Sequence, residues 1–207
     1  MKSGPSRRGR PRTFDADEAL DAAMKLFWEK GYTATSLKDL TSALRIAPPS
    51  LYAAFGSKEE LFVRAVRVYA ETHGAYIRRA LDEEPTALDA IARILREAAV
   101  KFTAREHPRG CLIIAGALDV DENSDKVRKL LEGMRREKAR WMQRRIEADV
   151  RVGVLPAGAD ARALASFADA VLEGLCLQAR RGASRAELQA AAEVAIGGLR
   201  AVASKRR

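Results

Sequence analysis

The sequence predicts an all-α protein of about nine helices, and three features of the 207-residue chain predict it. Alternation of apolar and polar residues, which is typical of half-buried strands, is almost absent. Ala, Leu, Glu and Arg dominate, and these residues favour helices. Glycine and proline residues interrupt the chain at intervals of helix length. The expected helices span residues 15–30, 36–43, 49–55, 57–81, 86–106, 109–119, 124–152, 160–181 and 184–203.

Polar caps and helix breakers justify these elements in chain order. Asp15 and Ser57 each precede a helix and have a glutamate three residues later, which is the pattern of a capping box. Thr35 or Ser36 can cap the second helix. The remaining boundaries fall at Pro48–Pro49, Pro85, residues 108–110, residues 123–124, residues 153–158 and Gly182.

Composition excludes several classes of protein. Hydrophobic residues are 47% and charged residues 31% of the chain, as in a globular protein, and no apolar run approaches the ~20 residues that span a bilayer. The N-terminus is basic, but no apolar segment follows it, so it is not a secretory signal. Two cysteines, Cys111 and Cys176, cannot build a disulfide framework or a four-ligand zinc site. We therefore expect a reduced, cytoplasmic protein without a metal or cofactor.

The charge balance favours a polyanionic partner. The formal net charge is +9, and residues 1–12 carry five basic residues and no acid. Residues 126–145 carry nine basic residues against Glu132 and Glu137. Such clusters are typical of proteins that bind nucleic acid or an anionic membrane surface.

The segment SLKDLTSALRIAPPSLYAAF, residues 36–55, has the spacing of a helix-turn-helix. Its leucines share one face of the first helix, residues 45–47 break the pattern, and the second helix turns Leu51 and Phe55 inward. The residue before a proline is pushed toward an extended conformation, and Pro48–Pro49 suit the first turn of a helix. The turn is therefore encoded by sterics. An ordinary helical hairpin in a core is the alternative on this pattern alone.

Three stretches carry a family resemblance: ALDAAMKLFWEKGYTATSL, the break at residues 45–47 and SLYAAFGSKEELF, residues 50–62. Through these stretches the chain resembles, from Arg10 to about Tyr69, the DNA-binding domain of the tetracycline-repressor (TetR) family. Two positions depart from the family pattern: Arg45 stands where glycine is common, and Thr41 stands where a smaller residue is expected. Beyond residue 70 the resemblance is one of architecture, and RGCLIIAGAL looks like a stretch from one subset of these regulators.

The resemblance implies three parts of the chain. They are a basic flexible arm at residues 1–12, a helix-turn-helix domain at 13–60 and a helical ligand-binding and dimerisation domain at 61–207. Tyr52 and Lys58 are expected to donate hydrogen bonds to phosphates, Lys58 with help from a helix N-terminus. The predicted DNA-binding residues are Arg10, Arg12, Thr35, Ser36, Lys38, Arg45, Pro48, Pro49, Ser50, Tyr52, Ala53 and Lys58.

Each of these roles has an alternative. Tyr52 could pack in the core, Lys58 could be a solvated surface lysine, Thr35 and Ser36 could simply cap a helix, and the arm could be a solubilising tail. The surface offered by the second helix of the motif is poor in hydrogen-bond donors, which suits apolar contact with thymine methyl groups.

Apolar residues at helical spacing in the last two helices predict a homodimer joined by a four-helix bundle, with an intramolecular core as the alternative. The predicted interface residues are Leu164, Val171, Leu172, Leu175, Leu188, Ala192, Ala195, Ile196 and Leu199. The resemblance also implies that the middle helices enclose a largely apolar inducer pocket, although each lining residue could be plain core. The predicted lining residues are Tyr76, Leu95, Phe102, Cys111, Ile114, Leu118, Trp141, Arg145 and Phe167.

The leading hypothesis is a dimeric repressor that binds a palindromic operator in double-stranded DNA and is released by a small molecule. A thiol-based variant would sense electrophiles or oxidants through Cys111, because His107, Arg109 and a helix start can each lower the pKa of a thiol. A buried, inert cysteine is the alternative. A non-specific basic DNA-binding protein and a membrane-surface protein are further hypotheses. An enzyme is poorly supported, because the sequence shows no phosphate-binding loop, metal cluster or nucleophile motif.

Overall fold

The computed structural model describes residues 15–118, 120 and 124–203, and the side chain of Leu118 is not among the described parts. The basic arm, with Arg10 and Arg12, lies outside the described residues. The described residues form helices without a strand, which confirms the predicted fold class. The helices are α1 (Ala16–Lys30), α2 (Leu37–Leu44), α3 (Pro48–Phe55), α4 (Lys58–Glu71), α5 (Ala75–Glu83), α6 (Ala87–Lys101), α7 (Leu112–Leu118), α8 (Asp125–Arg151), α9 (Ala161–Arg180) and α10 (Arg185–Ala203). None of the described helices is long and apolar enough to cross a membrane.

The helix predicted at residues 57–81 is divided into α4 and α5. The chain turns at residues 72–74, where the Gly74 N–H donates to the Tyr69 carbonyl at 2.8 Å. A Cβ atom at Gly74 would lie 3.1 Å from the carbonyl oxygen of Ala70, so glycine lets the turn close tightly. Apolar residues continue at helical spacing through this turn, and for that reason periodicity did not reveal it.

Two hydrophobic cores hold the helices together. The first joins α1 to α4 with α7 and α8, and it contains Phe27, Leu40, Leu51 and Phe62. The second joins α5, α6, α8, α9 and α10. Since the first core reaches Tyr69, the domain boundary predicted at residues 60–61 falls inside α4.

A hydrogen bond and a ring contact also join the end of α1 to later parts of the chain. Arg180, at the end of α9, donates from Nη1 to the carbonyl of Trp28 at 3.1 Å, which satisfies an end carbonyl of α1. The Trp28 ring stacks on His107 with a centroid distance of 4.4 Å. The helix-turn-helix is therefore fixed to the larger part of the molecule by packing and by hydrogen bonding.

The apolar stripe predicted to form a dimer interface faces inward instead. Eight of its members are buried in the second core, and Val171 is half-buried against that core. The buried members are Leu164, Leu172, Leu175, Leu188, Ala192, Ala195, Ile196 and Leu199. The prediction was wrong for these residues, because helical spacing does not distinguish an intramolecular core from a contact between subunits. The intramolecular alternative is the one that the structure shows.

Replacement of Gly110 by alanine is expected to destabilise the fold more than the same change at Gly153. Both glycines have positive φ, +81° and +79°, so alanine costs about 1–2 kcal/mol of backbone strain at each position. At Gly110 the new Cβ would also lie 2.9 Å from Cγ of Arg180 and 3.0 Å from Sγ of Cys176, whereas nothing lies within 4 Å at Gly153. Overpacking adds about 1–3 kcal/mol. Equal losses of unfolding free energy in urea titrations of the two variants would contradict this packing.

Candidate nucleic-acid interface and regulatory cavity

Helix α2 begins with a complete capping box. The Asp39 N–H donates to Oγ of Ser36 at 3.0 Å, and the Ser36 N–H donates to Oδ2 of Asp39 at 2.9 Å. Lys30 adds an ion pair to Asp39 at 2.8 Å. The hydrogen bonds from Lys30 and Ser36 hold the pKa of the Asp39 carboxyl well below its ordinary value. Ser36 is exposed, and its hydroxyl acts as the helix cap, as one of the two predicted roles requires.

The turn between α2 and α3 has the predicted stereochemistry. Arg45 adopts the left-handed conformation with φ 55° and ψ 39°, the position at which glycine is common in the resembling family. Ala47 is extended, and its carbonyl accepts hydrogen bonds from the N–H groups of Ser50 and Leu51 at 3.0 and 3.2 Å. Pro48 and Pro49 occupy the first turn of α3.

Helix α3 buries only one edge. Leu51 and Phe55 lie in the first core, and the remaining face is open to solvent. Tyr52 is 48% exposed, so the alternative of a core tyrosine is wrong. The exposed residues of this helix, called here the α3 surface, are Pro48, Pro49, Ser50, Tyr52 and Ala53.

Cationic side chains lie next to the α3 surface in the chain. Lys58 is the first residue of α4, which Ser57 caps through a capping box with Glu60. Its Nζ lies 4.4 Å from the centroid of the Tyr32 ring, which is a cation–π contact. Lys38 and Arg45 are exposed. The arrangement places cationic side chains, which are able to donate hydrogen bonds to phosphates, beside an exposed and mostly apolar helix surface.

Thr35 does not belong to this surface. Its side chain is fully buried, and its hydroxyl donates to the carbonyl of Gly31 at 2.6 Å. The structure therefore gives this residue a structural role at the link between α1 and α2. The sequence could not show this, because burial at the link depends on how α1 packs beside α2.

The basic run at residues 126–145 is mostly neutralised by carboxylates. Lys126 pairs with Glu59 of α4 at 2.9 Å, and Arg135 pairs with Glu173 of α9. Further ion pairs join Arg128 and Lys129 to Asp125, Arg136 to Glu132, Lys138 to Asp169 and Arg145 to Asp149. This helix packs against α4, α7 and α9, and its pairing does not favour a role as an open cationic surface.

A cavity of about 130 Å³ lies where the α4–α5 turn meets α7, α8 and α9. Predicted lining residues that border it are Tyr76, Phe102, Cys111, Ile114 and Trp141. Sequence reasoning missed Tyr69, Gly74, Met134, Lys138 and Leu172. The turn that divides α4 from α5 forms one wall of the cavity. The periodicity of apolar residues gave no signal of this turn.

Three of the predicted lining residues lie elsewhere. Leu95 is buried in the second core. Arg145 pairs with Asp149 and donates to the carbonyls of Glu84 and Pro85. Phe167 is exposed on α9. The side chain of Leu118 lies outside the described parts.

Two phenol groups border the cavity. Burial raises the pKa of Tyr69 and of Tyr76 well above the ordinary phenol value, so both phenols stay neutral and can donate hydrogen bonds. Cys176, behind the cavity, accepts a hydrogen bond from the Cys111 N–H at 3.2 Å. Burial raises the pKa of the Cys176 thiol to about 12, which suits the packing role predicted for it.

Cys111 is half-buried at the cavity wall. The two side chains that the sensor hypothesis places beside this thiol are engaged elsewhere. Arg109 donates from Nε to the carbonyl of Ala179 at 2.7 Å, and His107 stacks on Trp28. The sensor role of Cys111 stays a prediction.

Comparison with known proteins agrees with this geometry. Family models match two segments: "Bacterial regulatory proteins, tetR family" at residues 19–65 and "Tetracyclin repressor-like, C-terminal domain" at residues 87–195. The transcriptional repressor ComR of Escherichia coli (strain K12) is 35% identical over 182 residues, which cover 87% of each chain. The repressor BdcR of the same strain is 38% identical over 108 residues, 52% of this chain and 55% of BdcR.

This chain is also similar to a solved structure of a bacterial regulator bound to DNA. A cysteine mutant of the TetR family transcriptional regulator CifR, complexed with 26bp double-strand operator DNA, superposes with a TM-score of 0.86. It is 44% identical, and the match covers 91% of this chain and 98% of the CifR chain.

Replacement of Thr35 by valine is expected to lower stability without weakening DNA binding. The change leaves the buried Gly31 carbonyl without its hydroxyl donor, which costs about 1–3 kcal/mol of unfolding free energy. Urea unfolding measures the change in stability. Titration of the protein against a DNA fragment that it binds measures the change in DNA affinity. A tenfold loss of DNA affinity, on the order of 1.4 kcal/mol, at unchanged stability would instead favour a phosphate contact.

Proposed function

The chain belongs to the TetR family of bacterial transcriptional regulators, and we propose that it is a homodimeric repressor that binds a palindromic operator and is released by a small molecule. The family is one of DNA-binding proteins and not of enzymes. The observation that carries the proposal is the exposed α3 surface, which follows a helix-turn-helix turn and has only Leu51 and Phe55 buried. Because the proposed partner is genomic DNA, we also propose that the protein acts in the cytoplasm.

The proposed docking puts the α3 surface in the major groove. Tyr52 and Lys58 donate to phosphates and set the register, since phosphate contacts position a protein while base contacts specify the sequence. Lys38 and Arg45 are the cations able to reach base edges beside the mostly apolar α3 surface. Arg10 and Arg12 are proposed to add phosphate or minor-groove contacts. The operator DNA bound to the CifR mutant supports double-stranded DNA as the partner.

The proposed dimer uses the outer face of α9 and α10. This face is opposite to the buried stripe, and its side chains are small or apolar although they are exposed. It consists of Ala163, Phe167, Ala170, Gly174, Leu177, Ala190, Val194, Gly197, Gly198, Ala201 and Val202. Glycines and alanines let helices of two subunits approach closely, so two helices from each subunit can form a four-helix bundle.

The cavity connects ligand binding with DNA binding through α4. Lys58 begins this helix beside the DNA-facing residues, and Tyr69 near its other end borders the cavity. A ligand that fits only one position of α4 shifts the equilibrium toward that position by its differential affinity. The repressor is released when the favoured position separates the two α3 helices by a distance that does not match the operator.

Affinity selection of genomic fragments at ~150 mM salt is expected to recover sites that share an inverted repeat, because this ionic strength suppresses weak backbone-only binding. The double variant Tyr52→Ala with Lys58→Ala is then expected to lose binding to the selected fragment. Dimerisation and helicity, followed by sedimentation and circular dichroism, should not change, since neither residue belongs to the α9–α10 face.

The control for this variant is Arg151→Ala, which removes an exposed cation in the last turn of α8, at the opposite end of this helix from the Lys126–Glu59 contact with α4. It is expected to bind the fragment with nearly the wild-type affinity. Fragments without a shared sequence, or undiminished binding by the double variant, would contradict the docking and favour a non-specific basic protein.

Replacement of Val194 by glutamate is expected to dissociate the dimer. Val194 is 79% exposed at the centre of the outer face, so in a dimer the new carboxylate would be buried without a partner. Val152→Glu is the matched control, because this valine is 72% exposed at the end of α8. Sedimentation equilibrium should show monomers for the first variant and dimers for the second. Dimers in both would place the interface elsewhere.

A further inference from the structure

The cavity contains a buried charge that the proposed release mechanism does not use. Lys138 of α8 borders the cavity and is only 8% exposed. Its Nζ lies 2.5 Å from Oδ1 of Asp169 on α9. A buried ion pair is seldom more stabilising than apolar residues of similar volume, because both ions lose their hydration. The pair is therefore a candidate for recognition.

The ammonium of Lys138 has donors to spare. A lysine ammonium carries three N–H groups, and Asp169 is its ion-pair partner among the described residues. The neighbouring cavity wall is largely apolar and includes Phe102, Met134 and Trp141. An oxygen atom of a bound molecule could accept a hydrogen bond there and would be held by a charge-assisted contact.

The charges around the cavity favour an uncharged molecule. Asp169 already compensates Lys138, and the two other cations of the wall, Arg78 and Arg135, pair with Asp82 and Glu173. The remaining charged residue of the wall, Glu137, is exposed, so solvent screens its charge. A carboxylate or ammonium on the ligand would therefore bring an uncompensated charge into a largely apolar site. A neutral carbonyl, ether or hydroxyl oxygen avoids this cost.

The size of the cavity limits the ligand to about one ring. Its volume is about 130 Å³. For comparison, an apolar cavity of about 150 Å³ binds benzene in another protein. Phe102, Tyr76 and Trp141 supply aromatic surface for such a ring.

We propose that the cavity binds an uncharged, mostly apolar molecule of single-ring size that carries one hydrogen-bond-accepting oxygen, and that Lys138 Nζ donates to this oxygen. The inference rests on the proposed function, because it takes the cavity to be the regulatory site. It adds the chemical class of the ligand and the residue that selects it.

Isosteric probes test this class on the full-length protein. Acetophenone has a neutral carbonyl, cumene has the same ring without an acceptor, and benzoate has a similar shape with a negative charge. Isothermal titration calorimetry is expected to show acetophenone binding at least about tenfold more tightly than cumene or benzoate. Equal affinities, a preference for benzoate, or failure of all three probes to bind would overturn the proposal.

Changes to the ion pair should alter this ranking in opposite directions. The double variant Lys138→Met with Asp169→Asn removes both charges, so it leaves no unpaired ion and should bind acetophenone and cumene equally. Asp169→Asn alone leaves Lys138 uncompensated, and benzoate should then become the preferred probe. Lys129→Met, an exposed lysine of the same helix, should keep the wild-type ranking. If both ion-pair variants also keep the wild-type ranking of the three probes, Lys138 does not select the ligand.

Operator binding is measured on the same preparations to separate the two proposals. A protein that binds its selected operator fragment and rejects the probes refutes the ligand class but leaves the repressor proposal intact. A protein that binds acetophenone with the expected ranking but selects no operator refutes the proposed function instead. Thermal unfolding of each variant shows that a lost affinity is not a loss of fold, and Asp169→Asn provides a gain of binding that misfolding cannot produce.

Discussion

The packing of α4 across two environments is the constraint on which the other functional features depend. Leu61 and Phe62 fix the first half of this helix in the core that also holds α1, α2 and α3. Tyr69, two turns later, borders the cavity, and the chain then breaks at Gly74 to begin α5. Because a helix transmits displacement along its axis, the α3 surface and the cavity cannot be positioned independently. The contacts of Trp28 with Arg180 and His107 add a second restraint, which acts on α1 of the same core.

The basic residues of the chain serve two different physical purposes. On α8 they pair with carboxylates of α4, α9 and their own helix, so most of their charge is compensated within the molecule. Near the α3 surface, Lys38 and Arg45 are exposed, and Lys58 is directed by Tyr32. Net charge alone therefore overstates how much of the surface attracts DNA. Pairing and position decide how much each cation can contribute to counterion release.

The apolar pattern of α9 and α10 does not determine which side of each helix is buried within the chain. Both helices are apolar on more than one side. Most of the larger aliphatic residues, such as Leu172 and Leu199, are buried against α6 and α8, while glycines, alanines, two valines, Phe167 and Leu177 remain exposed. Burial of the larger side chains removes more apolar area from water, which favours this orientation within one chain. The smaller residues suit close contact between helices of two subunits.

The sequence by itself determined the helical fold, the caps at Asp15 and Ser57, and the turn at residues 45–47, because each follows from local sterics and hydrogen bonding. It also identified the exposed residues of α3 and several cavity residues. Only the tertiary structure decided that Thr35 is buried, that the break at Gly74 opens a cavity wall, and that Lys138 meets Asp169 there. These outcomes depend on which helix packs against which face, and contacts between residues distant in the chain leave no local signal.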